Sequence, residues 1–408
     1  MASAYQPIQS EPGPRHAHNL GLGYLRGFLV VLVLAHHSVL AYIDSPPPLP
    51  KSLLDPVRWW RAFPIIDPRA HWAGFSLFTG FNDDFFMSLM FFISGLFVWS
   101  SLRRKGAGTF ARDRMIRLGI PFLVGAAIVA PIAYYPSYLQ AGGHGIRGYA
   151  HVWMSFGDWP TGPAWFIWLL LAFDLVAAAI FAVMPEFGNV VARLTSGART
   201  RPFRFYVLLT AISAAVSIPM VLIYGPAYWT SIGPFQLQTA RLFHYAVYLI
   251  AGIGVGVYGI DRGLLASDGN LARHWGRWVA FGLIAFFASV VFVATILTRM
   301  YHAAMPLALL GAIWSVVFVV TCAALSFAFL ALFIRFATRR RWIWDSLSDN
   351  EYGMYIIHYM FVSWLQLAML QIALPAIGKG VLVFIGVLLL SWGTSAAIRS
   401  IPGVSSVV

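Results

Sequence analysis

The sequence predicts an all-α polytopic membrane protein with about ten transmembrane helices. Its 408 residues are 59% hydrophobic and only 11% charged, whereas charged residues make up about 25% of a soluble domain. Apolar stretches of about 20 residues, the length that crosses a bilayer, recur along the whole chain. They are residues 24–43, 82–101, 116–136, 163–184, 205–225, 239–259, 278–298, 305–334, 351–373 and 379–398. The eighth stretch is over-long, which leaves room for a break and an eleventh span.

The basic residues predict how these spans are oriented. Cytoplasmic loops carry an excess of lysine and arginine. Most of the 28 basic residues fall in cytoplasmic segments when the N-terminus is placed inside, although the first outer loop carries several. We therefore expect both termini in the cytoplasm, with tails at 1–23 and 401–408 around a single transmembrane domain at 24–400. Outer loops are expected at about 44–81 and 137–162.

The net charge and the single cysteine limit the kinds of ligand and site that this protein can have. In a membrane protein a net charge of +13 indicates basic loops that face anionic lipid or a polyanionic ligand, and no nucleic-acid partner is expected. Cys322 lies in an apolar run, so we expect a core residue and neither a disulfide framework nor a metal site. A cleaved signal peptide is not expected, because the first apolar stretch is long enough to span.

The first span contains two polar residues on one face. Arg26 and His37 are eleven residues apart, and at about 100° per residue their side chains project within roughly 20° of each other. They lie about 16 Å apart along the helix axis. Ionisable groups inside a membrane segment usually mark a pathway or a reaction site. His36 points about 100° away, and it is interpreted either as a supporting residue or as a packing residue.

A cationic cluster precedes the third span. It comprises Arg103, Arg104, Lys105, Arg112, Arg114 and Arg117. Arg114 and Arg117 are spaced i, i+3, which predicts one helical face that can hold phosphate groups. The alternative is that the cluster only sets the topology.

The remaining polar residues of the spans have two interpretations each. Asp83 and Asp84 stand at the predicted start of the second span, where an aspartate caps a helix. Asp174 lies within the fourth span, so we expect either a structural ion pair or a site residue. His358 lies about two turns into the ninth span, where it is either a core residue or part of a site.

The first outer loop is rich in aromatic and charged residues. It contains Trp59, Trp60, His71 and Trp72, and the segment DPVRWWRAF predicts a short interfacial helix. Aromatic rings of this kind can stack on the rings of a sugar. The alternative is an interfacial belt without a ligand.

Five motifs follow one another along the chain, each on a predicted span. They are the Arg26–His37 pair; Ser94 and Gly95 in FFMSLMFFISGLFVWSSLRRKG; Arg112, Arg114, Arg117, Leu118 and Pro121 in FARDRMIRLGIPFLVG; Trp165 and Phe166 in GPAWFIWLLLAFDLV; and Gly353, Tyr355 and His358 in LSDNEYGMYIIHYMFV. In this order, from about residue 20 to 400, the chain resembles the acyltransferase-3 family of bacterial integral membrane acyltransferases. It departs from many members at Gly23, where they carry an acidic residue. The first loop and the length most resemble the glucan succinyltransferase-like subset.

The resemblance implies an enzyme of the bacterial inner membrane that uses acyl-CoA. It would transfer an acetyl or succinyl group from cytoplasmic acetyl-CoA or succinyl-CoA to a hydroxyl of an outward-facing glycan, such as a periplasmic glucan. His37 would be the general base or a nucleophile, with Arg26. The other implied roles are CoA binding by Arg26, Arg112, Arg114 and Arg117; support by His36, Ser94, Asp174, Tyr355 and His358; and acceptor binding by Trp59, Trp60, His71, Trp72 and Trp165.

A transporter is the alternative function. Arginine, histidine and aspartate inside a membrane also build proton relays, as in a secondary transporter or a flippase of a glycan-related substrate. Consumption of acyl-CoA distinguishes the two classes. The sequence does not indicate an oligomeric state.

Overall fold

Ten long helices make up most of the described part of the chain. The computed structural model describes residues 15–55 and 57–402, so the predictions for 1–14 and 403–408 lie outside the described residues. We number the long helices α1 to α10. They are α1 (Arg15–Val39), α2 (Ala73–Lys105), α3 (Ala107–Gln140), α4 (Trp165–Val183), α5 (Pro202–Tyr224), α6 (Leu242–Tyr258), α7 (Trp275–His302), α8 (Leu307–Phe336), α9 (Trp342–Met369) and α10 (Ala376–Arg399).

Short elements join these helices. Two strands, β1 (Trp229–Ile232) and β2 (Phe235–Gln238), form an antiparallel hairpin between α5 and α6. The short α-helices are Ile146–Met154, Phe187–Thr195 and Asn270–Arg273, and 3₁₀ turns cover Leu40–Tyr42, Trp59–Arg61, Gly162–Ala164 and Thr239–Arg241. The interfacial helix predicted from Asp55 onward is therefore only the single turn Trp59–Arg61.

The all-α polytopic fold is confirmed. Nine of the ten long helices in the described residues are long and apolar enough to cross a membrane. The exception, α9, is 28 residues long and more polar, because its first turns carry Asp345, Asp349 and Glu351. The over-long eighth stretch is one continuous helix, α8, so it contains no break that would give an eleventh span.

The contacts of α9 show that it crosses the bundle in the same direction as α1. Tyr24 donates a hydrogen bond to Asp345, and thirteen residues later His37 contacts His358. The two helices are therefore parallel, as expected for the first and ninth crossings of an alternating bundle. Ten crossings place the two described ends of the chain on one side, and the basic loops predict that this side is cytoplasmic.

The second span starts earlier than the apolar pattern predicts. Helix α2 begins at Ala73, so Asp83 and Asp84 lie about three turns inside it and cannot cap its N-terminus. The N-cap interpretation was wrong because the preceding turns, from Ala73 onward, are helical although they are less apolar. The first outer loop consequently ends at Trp72.

Helix α3 is interrupted by two π-helical turns, Met115–Gly119 and Gly125–Val129. Pro121 lies between them, and proline removes a backbone donor from the helical hydrogen-bond ladder. A π turn winds differently from an α-helix. Residues of the RDRMIRLGIP segment therefore do not keep the helical spacing that the sequence predicts.

Glycines allow α2 and α6 to pack closely. Gly95 and Gly252 face each other, and a Cβ at either position would meet the backbone of the other helix. Small residues at such crossings let two backbones approach. Gly95 of the second motif thus has a packing role.

The outer loop between α1 and α2 is fixed to the bundle. Asp67 and Lys379 form a buried ion pair, with 2.5 Å between Lys379 Nζ and Asp67 Oδ2. Gln140 on α3 pairs with the backbone of Ile66, and Asp158 binds Arg61. The loop therefore has a fixed conformation and covers the outer ends of the helices.

Candidate active site

Two histidines from parallel helices meet near the outer face. His37 Nδ1 lies 3.0 Å from His358 Nε2, and Tyr359 packs edge-on against the His37 ring. His37 is two residues before the end of α1, so the imidazole lies towards the outer end of that helix. His37 is half-buried and His358 is fully buried.

The hydrogen bonds determine the tautomers of the neutral rings. His358 Nδ1 lies 2.7 Å from the carbonyl oxygen of Tyr355. A carbonyl oxygen only accepts, so His358 Nδ1 carries the proton and His358 Nε2 is an acceptor. His37 Nδ1 therefore donates to it, and His37 Nε2 is the unprotonated nitrogen of the neutral ring. This is the arrangement that a general base requires.

Gln366 holds the end of α1, and sequence reasoning missed it. Its Nε2 donates to the carbonyl oxygens of His37 and Ser38, at 2.9 and 3.1 Å. The last carbonyls of a helix have no partner within the helix, and a buried carbonyl without a donor is costly. The buried amide on α9 therefore fixes the backbone that carries His37. A glutamine two turns beyond His358 was the only signal in the sequence.

An ion pair joins α2 to the 3₁₀ turn Thr239–Arg241, which directly precedes α6. Arg241 Nη2 is 2.8 Å from Asp83 Oδ2. His36 packs against Phe86 of α2, one turn beyond Asp83, with the ring centroids 5.4 Å apart. The Asp83 side chain is 51% exposed, whereas Arg241 is buried. Since these contacts of α2 are with α1 and with the turn before α6, we infer that the exposed part of Asp83 faces the space among these helices.

Trp165 lies on the same outer side, at the start of α4. Its ring contacts Trp229 of β1 and Tyr245 of α6, with centroids 5.4 and 5.9 Å apart. The Tyr245 hydroxyl donates to Gln238. Asp83, Arg241 and Trp165 thus come from α2, α4 and the start of α6 to the outer half of the bundle.

The tryptophans and histidine of the first outer loop are not gathered at the histidine pair. Trp60 is fully buried, and its Nε1 donates to the Leu53 carbonyl, so it has no exposed face on which a sugar could stack. Trp59 is exposed. Trp72 is exposed and packs on Phe75, and His71 contacts the carbonyl of Ile43.

A second set of charged residues lies towards the cytoplasmic face. Arg114 Nε is 3.0 Å from Asp174 Oδ2, and the guanidinium stacks over Phe110. Asp174 is buried, and neither carboxylate oxygen has a well-aligned hydrogen-bond donor among the described residues. It does not contact the histidine pair. Of its two predicted roles, the geometry favours the structural ion pair.

The side chains of Arg114 and Arg117 do not lie on one face of α3. Arg114 points towards Asp174, whereas Arg117 and Arg112 are exposed. The reason is the π turn Met115–Gly119, which begins directly after Arg114. The predicted single face of two arginines is therefore not formed, although the Tyr352 hydroxyl on α9 donates to the Arg117 carbonyl.

Ser94 and Tyr355, two of the predicted supporting residues, have different surroundings. The Tyr355 hydroxyl donates to the Pro163 carbonyl, and it is the backbone carbonyl of Tyr355 that supports His358. Ser94 is half-buried and forms no hydrogen bond within the described ranges. Among the residues that the structure describes, no group of three or more His, Cys, Asp or Glu could hold a metal ion. Cys322 is buried and contacts His244.

Comparison with known protein families decides the class of the protein. The model of the acyltransferase-3 family, described as an acyltransferase domain, matches residues 19–396. The chain belongs to the acyltransferase-3 family. It is therefore a multi-pass membrane acyltransferase. No curated protein and no solved structure matches the chain. The relation to the glucan succinyltransferase-like subset stays a prediction.

In this acyltransferase the acidic partner of Arg26 comes from another helix. Arg26 forms an ion pair with Glu351 on α9, whereas the residue three positions before it in α1 is Gly23. The Arg26 side chain remains 43% exposed. The Arg26–Glu351 and His37–His358 pairs are thus two contacts between the same parallel helices, one near the cytoplasmic face and one near the outer face.

Proposed function

We propose that this acyltransferase moves an acyl group from cytoplasmic acyl-CoA to a hydroxyl of an outward-facing glycan in the bacterial inner membrane. The observation that carries the proposal is the His37–His358 pair, which leaves His37 Nε2 as an unprotonated nitrogen near the outer face. Membership of an acyltransferase family favours this reaction over the alternative of a transporter.

Two arginines support binding of the CoA end of the donor. Arg26 and Arg114 are 43% and 25% exposed on the cytoplasmic side. A guanidinium group binds phosphate oxygens well. Arg26 and His37 are about 16 Å apart along α1, so an extended pantetheine arm from Arg26 would bring the thioester to His37. Arg112 and Arg117, which are exposed, are available for the remaining phosphate.

The acceptor is proposed to bind between α2, α4 and α6. A carboxylate accepts hydrogen bonds from sugar hydroxyls, and an aromatic ring stacks on the sugar face. On the outer side Asp83 provides an exposed carboxylate and Trp165 a half-buried ring, and the buried Arg241 fixes the Asp83 carboxylate. Among the tryptophans first predicted for this role, Trp165 has the surroundings that fit it best.

The chemistry at His37 follows from its unprotonated nitrogen. His37 Nε2 removes the proton of the acceptor hydroxyl while the hydroxyl oxygen attacks the thioester carbonyl carbon. The carbon–sulfur bond then breaks, and the imidazolium returns the proton to the leaving thiolate of CoA. His358 accepts from His37 Nδ1–H throughout and so stabilises the charged ring. An acyl-His37 intermediate is the second candidate mechanism.

The test compares membranes that contain equal amounts of the native protein and the His37→Ala variant. Labelled acetyl-CoA or succinyl-CoA is offered with a periplasmic glucan extract, and free CoA and labelled glycan are measured. Native protein should release CoA and label the glycan, and His37→Ala should lose about 100-fold or more, the usual contribution of a general base. His302→Ala, an exposed histidine on α7, serves as the matched control. Unchanged turnover in His37→Ala would reject both mechanisms.

A further inference from the structure

A groove opens at the cytoplasmic ends of α5 and α7, away from the proposed active site. Its volume is about 430 Å³. Both helices pack on α8, and aromatic contacts of Tyr206 with Trp278 and Phe281 join them. The lining residues are Thr200, Arg201, Pro202, Phe203, Arg204, Asn270, His274, Arg277, Trp278 and Phe281.

Three arginines give the groove an unbalanced positive charge. Arg201, Arg204 and Arg277 are exposed, and none of them forms an ion pair with any residue in the described ranges. Their neighbour Arg199, by contrast, is paired with Asp268. Helix α5 begins at Pro202, so its first backbone N–H groups add partial positive charge at the same place. The groove can therefore receive an anion that the described part of the chain does not supply.

The rest of the groove is apolar and continues into the membrane. Arg277, Phe281, Ile284, Ala288 and Val291 follow one another at spacings of four and three residues, which places them on one stripe of α7. Three residues of this stripe, Ile284, Ala288 and Val291, also line a second groove of about 640 Å³, together with Leu283, Phe287, Phe292 and Ile296. The cationic end thus lies at the cytoplasmic level, and the apolar end runs along a helix face that the bundle leaves mostly exposed.

We propose that this surface is a binding site for one anionic glycerophospholipid of the cytoplasmic leaflet. Its phosphate would bind Arg201, Arg204 and Arg277, and its acyl chains would lie along the α7 stripe. Basic pockets between transmembrane helices on the cytoplasmic side bind such headgroups. A free nucleotide would use the arginines but not the apolar continuation. The site is independent of the proposed acyl transfer.

The test uses the full-length protein in detergent and native mass spectrometry. The protein is incubated with equal amounts of phosphatidylglycerol and phosphatidylcholine that carry the same acyl chains. The native protein should retain phosphatidylglycerol preferentially. The variant Arg201→Gln/Arg204→Gln/Arg277→Gln should lose affinity for it by about 100-fold, since each of three basic residues contributes to anionic lipid binding.

The control variant removes the same number of positive charges from positions outside the groove. Arg104→Gln/Arg193→Gln/Arg273→Gln removes three exposed arginines outside the groove and should keep the preference for phosphatidylglycerol. Equal loss in both triple variants would show a nonspecific charge effect and overturn the proposal, as would no preference in the native protein. Displacement of phosphatidylglycerol by inorganic phosphate or by CoA would assign the site to a soluble anion instead. A thermal unfolding scan of each variant confirms that it is folded.

Discussion

The role of His358 gives the sharpest test of the site geometry. His358→Ala removes the acceptor for His37 Nδ1–H without removing the base itself. The His37 ring is then free to rotate or to change its tautomer, which would place a proton on the nitrogen that has to be the base. His358 does not itself touch the reacting atoms in the proposed mechanism, so it acts as a positioning residue.

The size of the effect follows from the hydrogen bond that is lost. In the transition state His37 is cationic, and a hydrogen bond to a charged group contributes about 1.5–3 kcal/mol. Each 1.4 kcal/mol corresponds to about a factor of ten in rate. His358→Ala should therefore lower kcat by about 10- to 150-fold. This is a smaller loss than the 100- to 10,000-fold, roughly, that removal of a general base costs.

The assay is CoA release from acyl-CoA in the presence of acceptor, with kcat and KM determined separately. The loss should appear in kcat, and KM for acyl-CoA should change by less than about threefold, because Arg26 is left intact. In His358→Gln the side-chain oxygen can accept the same N–H, so part of the activity should return. Native kcat in His358→Ala, or equal losses in the alanine and glutamine variants, would refute the reasoning.

Three further predictions concern the surrounding residues. Asp83→Asn should raise KM for the acceptor by about 10- to 100-fold in the same assay, since hydrogen bonds to a charged group are lost; an unchanged acceptor KM would remove Asp83 from the acceptor site. Gln366→Leu leaves the carbonyl of His37 without its donor and should lower both kcat and the unfolding temperature in detergent, at a cost of about 1–3 kcal/mol. Lys379→Met strands the Asp67 carboxylate in a buried site and should destabilise the protein by about 3–5 kcal/mol. Adding Asp67→Leu should restore most of the unfolding temperature, and no restoration would contradict the pairing.

The sequence predicted the spans well because a membrane helix needs a long apolar stretch, which is visible residue by residue. The same pattern did not predict where the helices begin and end. Helix α2 extends nine residues before its predicted start at 82, since its first turns pack under the outer loop and need not be apolar. As a result Asp83 changed from a predicted helix cap to a partner of Arg241.

The sequence by itself predicted a polytopic membrane protein whose ordered motifs resemble those of membrane acyltransferases, because composition and motif order belong to the chain alone; the family comparison confirmed that class. The sequence placed Arg26 and His37 on one face from helical periodicity. Only the tertiary structure decided their partners, Glu351 and His358, which are more than 300 residues away in the chain. It also decided that Arg114 turns to Asp174 while Arg117 does not, because a π turn separates them. Periodicity describes one helix, whereas the partners of a buried polar group depend on how helices pack together.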